Sequence, residues 1–145
     1  MIGINGLRRW MDPVLMLILG GIFVYSGMIK LADAGALFND ILAYRIVGRE
    51  LAYPITFFLP AFELVCGVAL FIPKLRHPAL LWISIMLLVF MLAILSAWMR
   101  GIDVSCGCFG TTDDGVASYD PLAWIMRDAA MLAVAGWLWL SRKSQ

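Results

Sequence analysis

The sequence predicts an all-α fold: an integral membrane four-helix bundle with a short amphipathic periplasmic helix between spans 1 and 2. Three observations predict it. Hydrophobic residues make up 63% of the 145 and charged residues 14%, against roughly 45–50% and 25% in soluble domains. The apolar residues gather into four runs of roughly twenty residues, each long enough to cross the ~30 Å hydrocarbon layer. At 145 residues the length fits a single domain, 1–145. The lipid bilayer is then the solvent, and a formal charge of +1 gives no electrostatic case for nucleic acid.

Span 1 covers about 14–31. Arg8 and Arg9 precede it, and Ser26-Gly27-Met28-Ile29-Lys30 closes it. Ala32-Asp33-Ala34 resembles a signal cleavage site, but the apolar run exceeds a usual signal core and Lys30 interrupts before the site, so the expectation is an uncleaved first span. From Ala34 to Leu51 the pattern changes: Leu37, Phe38, Ile41 and Leu42 recur at helical spacing among Asn39, Asp40, Arg45 and Arg49. Too polar to span, this stretch suits a helix lying in the interface. Span 2, about 52–72, carries Pro54, Pro60, Glu63 and Cys66. Pro60 predicts a kink, tolerable where neighbouring helices satisfy the freed carbonyl. A short basic turn, Pro73 to Pro78, leads to span 3, about 79–99, which has no ionisable residue. Asp120-Pro121 then opens span 4, about 121–140, with an N-cap acid and a first-turn proline. Trp82, Trp98, Trp124, Trp137 and Trp139 fit aromatic belts and need no cofactor.

Orientation follows from lysine and arginine. With the N-terminus inside, Arg8, Arg9, Lys74, Arg76, Arg142 and Lys143 face the cytoplasm, against Lys30, Arg45, Arg49 and Arg100 outside, a bias in the positive-inside sense. The expectation is a bacterial inner membrane protein with both termini cytoplasmic and the 100–119 loop periplasmic. That loop holds Cys106-Gly107-Cys108. Two cysteines flanking one glycine close only through a small strained ring, which Gly107 eases, and a strained, exposed disulfide passes on its oxidation readily. The periplasm is a compartment where disulfides persist. Thiol–disulfide exchange at Cys106 and Cys108 therefore leads two other readings. A structural clasp would remove little entropy from so short a loop. Soft-metal binding lacks a third ligand, since His77 sits in the inner turn, so no metal site is expected. Arg100 or the start of the fourth helix could activate a thiolate. Cys66, alone in an apolar run, reads as an inert buried thiol.

Ionisable groups inside spans usually face a bundle interior or a wet pocket. Lys30 ends span 1, Glu63 lies about 16 Å into span 2 and Arg127 about 9 Å into span 4, with Asp128 beside it. These four form a supporting polar cluster below the cysteine loop. Glu63 is expected to pair with Arg127, with Asp128 or Lys30 as competing partner. A purely structural cluster joining the helices is an equally simple reading.

Phe23 to Lys30, Leu59-Pro60-Ala61-Phe62-Glu63 followed by Gly67, Cys106-Gly107-Cys108-Phe109-Gly110 and Arg127-Asp128 resemble, in order, the MauE branch of the DoxX-like membrane proteins. Cys-Gly-Cys-Phe-Gly is the most specific of these strings. The resemblance implies four membrane helices, periplasmic redox work associated with maturation of methylamine dehydrogenase, and a redox pair at Cys106 and Cys108. It also implies a thioredoxin-like or disulfide-containing periplasmic partner. A membrane quinone near Glu63 and Arg127 would supply an electron carrier; no other cofactor is expected. A non-catalytic accessory subunit of a larger membrane complex is the alternative function. Small-molecule or copper transport comes third, because inverted repeats and broken helices are lacking.

Overall fold

The computed structural model describes residues 4–102 and 121–143. Among these residues five helices follow one another: α1 (Ile4–Ala32), α2 (Ala34–Ala43), α3 (Arg49–Ala69), α4 (Arg76–Met99) and α5 (Pro121–Lys143). All except α2 are long and apolar enough to cross a membrane. The chain is thus a multi-pass membrane protein with four candidate spans, and α2 is the short helix between the first two.

Local chemistry explains where the helices begin and end. Asp33 accepts a hydrogen bond from the Ala36 amide at 2.9 Å, an N-cap that starts α2 one residue after α1 ends. The amphipathic helix expected to reach Leu51 stops at Ala43. Arg45 there takes a left-handed φ of 50°, which a helix cannot continue through, and the residues from Arg49 onward belong to α3. α3 ends at Ala69 rather than 72, and α4 starts at Arg76 rather than 79; the Arg76 guanidinium donates to the carbonyl of Leu70, which caps α3. α3 itself remains helical through Pro54 and Pro60. α4 closes on a Schellman motif. The Ile102 amide reaches the Ala97 carbonyl, the Gly101 amide reaches Trp98, and Gly101 adopts a φ of 66°, a backbone angle glycine takes without strain.

α1 packs along α3, and α4 along α5. The first pairing is tight enough that backbones nearly touch. A Cβ on Gly67 would sit 2.9 Å from the Val24 nitrogen, and one on Gly27 would sit 2.9 Å from the Pro60 carbonyl. In lipid, where apolar surface alone does not drive helices together, small residues permit this approach. The contacts also fix the register: Gly20 lies against Gly67 and Phe71, Gly27 against Pro60 and Leu64. With Gly27 against Pro60, the end of α1 at Ala32, five residues on, falls level with about Ile55, and Arg49–Pro54 of α3 runs roughly 9 Å past it. α2 packs against this overhang, with Phe38 edge-on to Tyr53. The core between the helices gathers Leu19, Phe23, Leu70, Ile83, Leu87 and Leu138, and Cys66 lies within it.

Candidate functional site

Lys30 occupies the last turn of α1, where the helix dipole favours a cation, and Ser26 stands one turn before it on the same face. Across the close α1–α3 contact lies Glu63. The Lys30 ammonium donates to Glu63 Oε1 at 2.6 Å, and the Ser26 hydroxyl reaches Glu63 Oε2 at 3.4 Å. Lys30 also sits 4.9 Å from the centroid of the Phe90 ring on α4, within cation–π range. Both charged groups are almost sealed, Lys30 4% and Glu63 1% exposed.

The expected Glu63–Arg127 pair does not form. Arg127 instead turns to its neighbour on α5, donating from Nε at 3.1 Å and from Nη2 at 2.9 Å to Asp128 Oδ1. The reason lies in the helix pairing. Glycines bring α1 against α3, so Lys30 reaches Glu63 first, while α5 packs chiefly on α4. Asp128 is 1% exposed, and its Oδ2 has no hydrogen-bond partner among the described residues.

The structure nonetheless brings all four charges of the expected cluster to one place. Lys30, Glu63, Arg127 and Asp128 line one cavity, together with Ser26 and Phe90. Two cations meet two carboxylates, so the cavity is neutral overall. Its volume is about 20 Å³, space for about one water molecule. The quinone ring expected beside Glu63 and Arg127 has no room there. Ser26 and Phe90 were not singled out from the sequence. Ser26 could have been, since it lies four residues before Lys30; Phe90 is one aromatic among many and carries no signal of its own.

A larger cavity of about 200 Å³ lies next to this one and shares Lys30 and Phe90 with it. α2 contributes Leu37 and Ile41 to its walls, the first half of α3 Ile55 and Leu59, and α4 Ala93 and Ile94. Its position follows from the register: this quarter of the bundle is where α1 has already ended.

Cys106 and Cys108 lie outside the described residues. The segment that carries them leaves α4 at the Schellman turn. Arg100, expected as a thiolate activator, holds that turn to the one after α2, donating to the carbonyls of Tyr44 at 2.6 Å, Arg45 at 3.2 Å and Ser96 at 3.1 Å. Cys66 is a buried free thiol, as its apolar surroundings in the sequence imply. His77 packs edge-on against Trp139 with ring centroids 5.4 Å apart.

No curated protein and no solved structure matches the chain. The model of one family, methylamine utilisation protein MauE, matches residues 8–141, all four spans included, and the chain belongs to that family.

Proposed function

We propose that the chain is a membrane-embedded thiol–disulfide exchange protein of methylamine utilisation, whose Cys106 and Cys108 act on a periplasmic partner. The observation that carries this is the Cys106-Gly107-Cys108 string in the segment joining α4 to α5. In the exchange, a partner thiolate attacks one sulfur of the Cys106–Cys108 disulfide, and a mixed disulfide forms as the other sulfur leaves as a thiolate. A second partner thiolate then attacks the mixed disulfide. The partner gains a disulfide, and the pair here is left as a dithiol. The buried Lys30–Glu63 pair supports the reading by joining α1 to α3. The orientation that places the segment outside rests on the basic residues, with both termini in the cytoplasm of a bacterial inner membrane.

The test is Cys106→Ser and Cys108→Ser in living cells, reading the thiol state of periplasmic proteins by alkylation and mass spectrometry. The expected result is accumulation of one or more partners with free thiols, and a trapped mixed disulfide with one of the two single variants. Unchanged thiol states in both variants would remove the exchange role.

A second reading, an accessory subunit of a larger membrane assembly, draws on α5. This span has the smallest buried share of the four, and its exposed face carries Ala129, Ala133 and Gly136, small residues that let another helix approach. Stoichiometric co-migration with one complex on gentle solubilisation would favour that reading. Recovery of a partner only as a mixed disulfide favours exchange.

A further inference from the structure

The larger cavity has a size, a wall chemistry and an entrance that together select an occupant. At about 200 Å³ it is smaller than the ~300–1,000 Å³ pockets that enclose a whole drug-sized ligand. It exceeds the roughly 150 Å³ apolar cavity that admits benzene. It therefore takes one substituted ring and leaves the rest of the molecule outside. Its walls are aliphatic apart from Lys30, Asp40, Tyr44 and the ring of Phe90. Ile46 and Val89 also line it, and both are exposed on the outer surface of the bundle, so the mouth opens towards lipid.

The charges decide what head group the ring can carry. Lys30 already has the Glu63 carboxylate 2.6 Å from its ammonium, and Asp40 places a second carboxylate in the lining. An anionic head would bring a further negative charge beside a cation that is already neutralised, in surroundings where unpaired charge is costly. A neutral carbonyl oxygen accepts from an ammonium without that penalty.

We infer that the cavity between α2, the first half of α3 and α4 binds the head ring of a membrane quinone, with one carbonyl oxygen towards Lys30 and the tail in the bilayer. The proposal takes its purpose, though not its existence, from the exchange reading. A dithiol closing to a disulfide releases two electrons and two protons. A quinone takes up both to become a quinol, so one bound ring re-oxidises one Cys106–Cys108 pair.

The test uses the full chain purified into lipid nanodiscs and a short-chain ubiquinone carrying an azide on its ring, photolysed and mapped by mass spectrometry. The expected label falls in Leu37–Val47, Ile55–Leu59 or Val89–Ile94. It is displaced by excess unlabelled decylubiquinone and not by oleate. Ala93→Phe fills the cavity and Val89→Trp closes its mouth; each reduces labelling roughly tenfold or more, the lower end of the cost of overfilling a packed space. The second variant decides the matter should the first fail to fold, as judged by helical circular dichroism. Labelling unaffected by both variants, or equal displacement by oleate, overturns the site. Labelling is expected to persist in the Cys106→Ser/Cys108→Ser protein, which separates this site from the exchange chemistry. Retained binding without quinol formation by the reduced wild-type protein would overturn the re-oxidation role; loss of specific labelling overturns the site whatever the cysteines do.

Discussion

At Lys30 and Glu63, two charges buried at 4% and 1% exposure depend on each other for their place in the bundle. Transferring either from water costs several kcal/mol, offset by the 2.6 Å contact and by the Ser26 and Phe90 interactions around it. Glu63→Leu alone strands the ammonium, and Lys30→Met alone strands the carboxylate. Each is expected to lower stability by about 3–5 kcal/mol, measured as thermal unfolding in detergent. The double variant Lys30→Met/Glu63→Leu is expected to recover most of that loss, because an apolar pair of similar volume removes both desolvation terms. A double variant no more stable than either single would show that the two residues are not energetically coupled. Cys66 gives the opposite prediction. Buried in the apolar core, it acts through its volume, so Cys66→Ala costs about 1 kcal/mol and leaves partner thiol states unchanged in the alkylation assay. A change in those states would give this thiol a redox role.

Among the elements, the α1–α3 contact controls which residues meet, and it depends on glycine. At Gly67 a methyl group would sit 2.9 Å from the Val24 backbone nitrogen and 3.0 Å from the Gly20 carbonyl. Neither backbone atom can swing aside, so Gly67→Ala is expected to destabilise by about 1–3 kcal/mol. Gly136→Ala, where a Cβ meets nothing within 4 Å, is expected to leave the unfolding temperature unchanged or raise it, since alanine is the better helix former. Equal effects at the two sites would rule out close packing as the role of Gly67. This contact also explains what the sequence made legible. Hydropathy marks each span, because that signal is local; the Asp33 cap of α2 and the Gly101 turn after α4 are local too but were not singled out from the sequence. The Lys30–Glu63 pairing is not local: it depends on which helices are neighbours and in what register, and the spacing of Gly20, Gly27 and Gly67 sets both. The end of α2 at Ala43 was obscured for a related reason. Arg45 and Arg49 fit a polar helix face as well as they fit a turn, and only the backbone at Arg45 distinguishes them. The four charged residues of the site were legible individually, but the pairs that form, Lys30–Glu63 and Arg127–Asp128, involve the competing partners and not the expected Glu63–Arg127; the larger cavity follows from the early end of α1.

For the molecule as a whole, the open question with the widest consequences is which end faces the cytoplasm. The short segments expected inside carry Arg8, Arg9, Lys74, Arg76, Arg142 and Lys143, while Lys30, Arg45, Arg49 and Arg100 lie towards the other end. Of the latter, Lys30 is neutralised by Glu63, so the effective asymmetry exceeds the bare count. Basic residues close to span ends resist translocation, and Lys74 in the turn before α4 and Arg76 at its start are two of them. The α2 end of the bundle is therefore expected on the non-cytosolic side, together with the segment that carries Cys106 and Cys108. The measurement uses a background of Cys66→Ala, Cys106→Ser and Cys108→Ser with one thiol restored at a time. Asn39→Cys lies on the exposed face of α2 and Lys74→Cys in the exposed turn before α4. A membrane-impermeant maleimide added to intact cells is expected to label Asn39→Cys and to reach Lys74→Cys only after the membrane is permeabilised. The reverse pattern would place Cys106 and Cys108 in the reducing cytosol, where a disulfide at that pair would not persist. The exchange proposal would then fall, while the ion pairs, the glycine contact and the cavity beside Lys30 would stand.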